Sequence, residues 1–272
     1  VRVGIANQRI VVRTLDLPPL TDEKAIASAV KVEAPDHIPM PIDEAVLDHR
    51  SLGVVETAGG PRTRVVVVAV RREMVERYAD AIRAAGLKIE GVDLSAFALV
   101  RAMASSGDDA GVLYVHAAGL TNVAVASGGS CLFTRAAAGG LDSIVQTLAE
   151  RRGLTLEHAE QWIGHVGLET PLDAVDGDGE VVAATRVVLE EGVHQLADTV
   201  RNSLNFYRMQ QNSETVSRAV LTGPAAVIGG FAASFAAALG MPVDAAVVGH
   251  AADTADPGRL AIAAGLAVES VE

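Results

Sequence analysis

Glycines close several of the apolar runs in this chain, where a backbone can hold phosphate. After Ala219–Leu221, Gly223 opens a turn that closes on Gly229-Gly230, and a helical stretch begins at Phe231. Glycine lets backbone N–H groups approach an anion with no Cβ in the way, and a helix N-terminus adds about half a positive charge. A strand with a glycine turn, two returning strands and a helix, followed much later by a second strand, glycine turn and helix, is an arrangement suited to cradling a nucleotide. Gly128-Gly129 and Gly139-Gly140 read as hairpin and helix-entry punctuation. Asp198, Arg201 and Asn205 stand three and four residues apart and share one helical face, which from spacing alone is a solvated surface pair and its neighbour. The seven histidines show no H-x-x-x-H or Cys–His spacing, so no zinc site is expected, and His158 with His165 reads as a surface pair. Cys131 falls in an extended run, a small buried thiol with no histidine at a motif spacing. His116 is either a turn histidine ending a strand or a polar group in a cleft.

These residues must be positioned by a mixed set of elements. Residues 1–15 read as an apolar hairpin turning at Ala6-Asn7-Gln8. Thr21, Asp22 and Glu23 cap a helix to about Glu33, and Pro35, Pro39 and Pro41 then call for an extended connection from Ala34 to Ile42. Ile38, Pro39, Met40 and Pro41 in that stretch serve either as an edge connection or as a docking rim for a partner peptide. Strands are expected at 45–51, 64–70 and 88–92, with helices at 72–85 and 95–103. The run at 64–70 is apolar enough to be covered on both faces. Ser105 to Asp109 reads as a linker. Beyond it come an antiparallel meander (111–115, 122–126, 131–138), helices at 141–152 and 155–163, and a long helix at 181–211. A strand at 219–221, a helix at 231–239, a strand at 242–248 and a last helix at 259–268 complete the pattern. Strands alternating with helices give an α/β layer fold.

Composition narrows the function. The 272 residues are half apolar, ample for folded cores, and aromatic side chains make only 3%, too few for base-stacking platforms. A net charge of −12 repels nucleic acid and anionic membrane unless basic side chains cluster on one face, so no nucleic-acid partner is expected and membrane association runs through partner proteins. A single cysteine fits a reducing compartment, and neither an 18-residue apolar run nor a signal peptide is present, which reads as cytoplasmic.

The order of segments resembles the PilM family of type IV pilus assembly proteins, itself similar to the actin-like cell-division protein FtsA. The stretches that carry it are VVRTLDLPPL, VEAPDHIPMPIDEAVLDH, VVVVAVRREMVERYADAIRAAGLKIEGVDLSAFAL, SLNFYRMQ, VLTGPAAVIGGFAASFAAALGMPVDAA and LAIAAGLAV. The resemblance implies an actin-like (ribonuclease H-like) α/β fold of two lobes with a nucleotide cleft between them. Residues 1–110 would form the first lobe, with a small α/β subdomain at about 13–70, and residues 111–272 the second, with a helical insert at about 151–216. It also implies a cytoplasmic scaffold, peripheral at the inner membrane, that binds the cytoplasmic tail of PilN and other pilus assembly proteins, with ATP and magnesium as ligands.

The chain departs from the family pattern in its phosphate apparatus. The opening G-x-D-x-G-x-[ST] hairpin has no counterpart, as expected if the chain begins after it. The second loop, D-I-G-x-x-x-T, is here His116-Ala117-Ala118-Gly119-Leu120-Thr121. Magnesium prefers carboxylate or water oxygen, so His116 is a poor replacement, and Ala118 in place of glycine obstructs the backbone. Gly119 and Thr121 are left to hold part of a phosphate. Gly223, Gly229 and Gly230 resemble the adenosine-side loop, and the Asp198, Arg201, Asn205 face would look at ribose and adenine. Weakened nucleotide binding and a scaffold role, with at most weak ATPase activity, are therefore expected. The alternative is an ATP-dependent phosphotransferase of sugar-kinase type, which needs a carboxylate base and a metal-binding aspartate that no suitable loop position supplies.

Overall fold

A computed structural model describes residues 1–104, 110–210, 213–248 and 257–268. The linker expected at 105–109 lies outside the described residues. Strand β1 (Arg2–Ile5) runs parallel to β5 (Gly91–Leu94) as a two-stranded sheet. Between them in sequence lies a three-stranded antiparallel sheet in the order β2 (Val11–Leu17), β4 (Gly60–Arg71), β3 (Ala45–Thr57), with helix α1 (Glu23–His37) on one face. Ile26, Val30 and Ala34 of α1, four residues apart, bury themselves on Leu15, Leu17, Val65, Val67 and Ala69. The alternate residues Val66 and Val70 face Ile5 and Leu94 of the parallel pair. The valine-rich β4 is thus covered on both faces, as its pattern predicts. Asp16 and Arg64, partners across β2 and β4, form a two-pronged ion pair at 2.8 and 3.0 Å. Helices α2 (Arg72–Ala84) and α3 (Ser95–Met103) flank β5 in sequence.

The second lobe carries a five-stranded sheet in the order β10-β9-β6-β7-β8. The meander β6 (Gly111–Ala117), β7 (Leu120–Ser127), β8 (Ser130–Ala138) is antiparallel, while β9 (Val216–Thr222) runs parallel to β6 and β10 (Val243–Ala245) parallel to β9. Leu113, Val115 and Ala117 face a core built from α4 (Leu141–Arg152), α5 (Leu156–Val166), the 30-residue α6 (Gly179–Arg208) and α7 (Phe231–Leu239). The opposite face, Val112 and Tyr114, packs on α3 and on α8 (Ala261–Ala267). Among the described residues no helix is long and apolar enough to cross a membrane.

Two expectations for the first hundred residues are corrected. β1 and β2 do not form a hairpin: β1 pairs with β5 and β2 with β4. The turn is real, with Ile10 N–H on the Asn7 carbonyl at 3.2 Å, but it delivers the chain to a different sheet. Helix α1 runs through Pro35 to His37 instead of stopping near Glu33. Pro35 sits in the last turn, where it forfeits one hydrogen bond, and Ile38 N–H still reaches the Ala34 carbonyl at 2.9 Å. Ala34, fully buried, gains enough packing to stay helical before a proline. Ile38 to Pro41 is consequently a short turn, with Met40 N–H on the Ile38 carbonyl at 2.8 Å, and is no edge strand.

The lobes are joined where α3 and α8 cross. A Cβ on Gly265 would drive into the carbonyl oxygen of Ala98, so the two backbones touch directly there. Arg101 Nε donates to the Gly265 carbonyl at 3.1 Å and Arg2 to the Val268 carbonyl at 3.2 Å, so first-lobe cations satisfy the carbonyls at the end of α8. Gly265→Ala is expected to lower stability by roughly 2–4 kcal/mol, because backbone cannot step aside as a side chain can. Gly164→Ala, on α5 with nothing within 4 Å of the new methyl, is expected to leave stability unchanged or slightly raised. Urea unfolding of both variants checks the contrast.

Candidate functional site

The cleft-facing end of the second lobe is where β6, β7 and β9 end or turn. His116 lies opposite Asn122 on one side and Thr222 on the other, so the three form a polar row across three strands. Alternation with Val112 and Tyr114 places the row on the face that meets α3 and α8. All three are buried, His116 at 4% exposure. Among the described residues His116 Nδ1 and Thr222 Oγ1 have no hydrogen-bond partner. A void of about 20 Å³ bounded by Asn122, Ala6 and Leu94 lies between the lobes nearby, room for about one water. Burial, with the Arg259 charge adding to it, lowers the His116 pKa from 6.5 to about 4, so its imidazole is neutral at neutral pH.

The turn after β6 is packed against protein on its inner side, while Gly119 and Leu120 are exposed. Asp142 N–H donates to the Ala118 carbonyl at 3.4 Å, and the Thr121 hydroxyl donates to the Gly139 carbonyl. A Cβ on Gly140 would strike the Ala118 carbonyl; one on Gly223 (φ +95) would come within 2.7 Å of the Ala117 carbonyl oxygen. Gly258 packs likewise on Gly223. A carboxylate oxygen of Asp142 lies 2.9 Å from the place a Gly119 Cβ would take. Arg259 spans Glu160 at 2.9 Å and Asp142 at 4.0 Å.

The structure therefore brings the backbones of His116, Ala118, Gly119, Thr121 and Gly223 to one end of the sheet, with the His116 side chain on the α3–α8 face and that of Thr121 on the opposite one. Gly229 and Gly230 stand at the start of α7, packed on the loop after α5, with Leu168 N–H on the Gly229 carbonyl at 2.7 Å. Asp198, Arg201 and Asn205 are elsewhere. Arg201 bonds Asp198 and the Ala238 carbonyl at the far end of α7, about 12 Å of helix from Gly230. Spacing sets which face of a helix residues share, and leaves open which of its eight turns lies beside a given loop. Ile38 is a core residue at 4% exposure and Met40 is half-buried against the same core, while Pro39 and Pro41 are exposed. Cys131 donates to the Phe133 carbonyl, and burial of its thiol pushes the pKa up to about 12, as expected of an inert residue.

Sequence reasoning missed Asp142, Arg259, Glu160, Asn122 and Thr222. Thr222 and Asn122 adjoin residues it did single out, and an acid in the first turn of the helix after the meander was a usable signal for Asp142. Among the described residues no three histidine, cysteine, aspartate or glutamate side chains stand close enough to hold a metal.

Two larger openings lie elsewhere on the surface. One of about 720 Å³ runs in the first lobe between the β3–β4 face and the β5–α3 unit, with Val66, Val68, Val92 and Phe97 along it and Arg50 and Asp48 at its sides. The other, about 810 Å³, lies between the edge strand β2 and the end of α6.

Two lobes with a β-meander, parallel strands and a glycine-turned cleft, joined by crossing helices, define an actin-like protein. The chain belongs to the type IV pilus assembly protein PilM family, which it matches over residues 1–270. It is similar to a solved PilM–PilN type IV pilus biogenesis complex at 24% identity and a TM-score of 0.73, covering 97% of this chain and 77% of that one. It also resembles MreB5 of Spiroplasma citri bound to ADP, at 14% identity and a TM-score of 0.51, covering 72% and 64%. The AMPPNP-bound form of the same protein gives 14% and 0.50, covering 72% and 63%.

The His116 burial makes stability depend on pH. Unfolded histidine takes up a proton near pH 6.5, folded His116 only near 4, so the stabilisation is complete above 6.5 and is lost as pH falls through that window. The loss at the acid end is about 3 kcal/mol. Unfolding free energies measured from pH 7 down to 4 should fall more steeply for the wild type than for His116→Asn; parallel curves would show that His116 does not titrate in this way.

Proposed function

We propose that the chain is a cytoplasmic, actin-like scaffold of type IV pilus assembly that takes the cytoplasmic tail of PilN in its first lobe and is held at the inner membrane through it. Family membership over nearly the whole chain carries this reading. The 720 Å³ channel is the docking place we favour, because its apolar floor and charged sides of both signs suit a short amphipathic peptide. The exposed Pro39 and Pro41 are left as the accessible part of the 38–41 turn. We divide the chain near residue 110, with the insert of the second lobe formed by α5 and most of α6.

Nucleotide has a reduced part in this reading. The second phosphate turn does not suit a magnesium triphosphate: a neutral imidazole replaces the carboxylate, and Asp142 sets a negative charge against Gly119, where phosphate oxygens would have to approach. Gly223, Gly229 and Gly230 keep an adenosine-side role in principle, without help from Asp198, Arg201 or Asn205. The phosphotransferase alternative has nothing to support it here, since the acid beside the turn, Asp142, faces Arg259.

A synthetic peptide copying the tail of the cognate PilN is expected to bind with micromolar-class affinity in calorimetry. Val92→Asp, at a 40% exposed position along the channel, should weaken it by roughly tenfold or more with little change in melting temperature. Absence of binding at millimolar peptide to the folded chain would sink the proposal.

A further inference from the structure

Charge is divided unevenly along the chain. Residues 1–104 hold 14 basic and 14 acidic side chains, whereas residues 105–272 hold 8 and 20, so the whole net charge of −12 sits in the second part. Within the neutral part, Arg9, Arg71 and Arg77 line one open bowl of about 490 Å³ between the β1–β2 turn and α2. Arg71 meets Glu44 at 3.4 Å, while Arg9 and Arg77 form no ion pair among the described residues. Glu73 is the single acid in the lining, so positive charge is in excess there. Tyr78, 43% exposed, brings a hydroxyl to the same bowl, and Asn7 a side-chain amide whose oxygen takes the Arg9 N–H at 2.9 Å. Helix α2 begins beside it with no side-chain cap on its first N–H groups, so the positive end of the helix adds to the field.

We propose that this bowl binds a phosphate group, presented either by a lipid headgroup or by a soluble phosphate compound. Two guanidinium groups without carboxylate partners, sharing a concave site with a phenol and an amide, match the donor pattern that phosphate oxygens take in pairs. The division of charge favours the same orientation: an anionic surface repels the acidic second part of the chain and leaves the neutral part, with its bowl, facing it. The inference does not depend on PilN.

The test uses the whole chain without PilN, sedimented with vesicles of phosphatidylglycerol and phosphatidylcholine or of phosphatidylcholine alone, and titrated in parallel with inorganic pyrophosphate. Binding to the anionic vesicles or to pyrophosphate is expected, falling with salt and reduced roughly tenfold or more in Arg9→Ser/Arg77→Ser. Arg9→Lys/Arg77→Lys should keep part of it, and Arg83→Ser/Arg208→Ser, which removes equal charge elsewhere, should keep nearly all. Both bowl arginines are exposed, so the variants should melt as the wild type does; if the double variant does not fold, Arg77→Gln alone serves. Binding to vesicles only assigns the headgroup, and to pyrophosphate only assigns a soluble ligand. No binding of either probe, or equal loss in the bowl and control variants, overturns the proposal.

Discussion

Backbone against backbone at the crossing of α3 and α8 is the contact on which the rest of the molecule depends. Nine-residue α3 and seven-residue α8 are too short to be stable alone. They persist because Ala98 and Gly265 let them meet with no side chain between, while their other sides fill the hydrophobic face of the second-lobe sheet. Gly4 of β1 is tied into the same knot, pressed by Leu266 and Ser95. The crossing therefore fixes how far β1 and β5 stand from β6, and with that the width of the cleft above His116.

The same small-residue logic recurs at the cleft, with a different consequence. Gly140, Gly223 and Gly258 are glycines because a neighbouring carbonyl or backbone lies where their Cβ would be. In a phosphate-binding turn such glycines open room for an anion; here the protein's own main chain lies where the Cβ atoms of Gly140, Gly223 and Gly258 would be, and the Asp142 carboxylate stands beside Gly119. Arg259, between Asp142 and Glu160, supplies a cation from within the chain beside the turn. In the proposed reading the frame of a nucleotide clamp is kept, and internal contacts stand in place of its acidic and glycine ligands.

Much of this was legible in the residues because local chemistry decides local ends. Ser95, Gly139-Gly140, Gly153, Gly230 and Gly240 punctuate α3, α4 and α7 at the residues where those helices start and stop. The meander was readable from its glycine turns. What was not legible is long-range. A turn at Asn7 looks the same whether it closes a hairpin or passes the chain to another sheet, and only the parallel pairing of β1 with β5, some ninety residues on, distinguishes the two. Pro35 stays inside α1 because Ala34 is buried on a sheet whose strands come from elsewhere in the chain. Spacing puts Asp198, Arg201 and Asn205 on one side of α6, but not beside a given loop, and Arg201 on that side bonds the Ala238 carbonyl at the far end of α7. From sequence His116 admits two readings, and its burial across from Thr222 makes it part of a polar row.

In the proposed reading the second-lobe cleft face needs no triphosphate to be complete. Isothermal calorimetry of residues 1–272 with ATP, in the presence and absence of magnesium, tests it most directly. No metal-dependent heat is expected up to millimolar nucleotide, and tight uptake of ATP that requires magnesium would show that the cleft still grips a triphosphate.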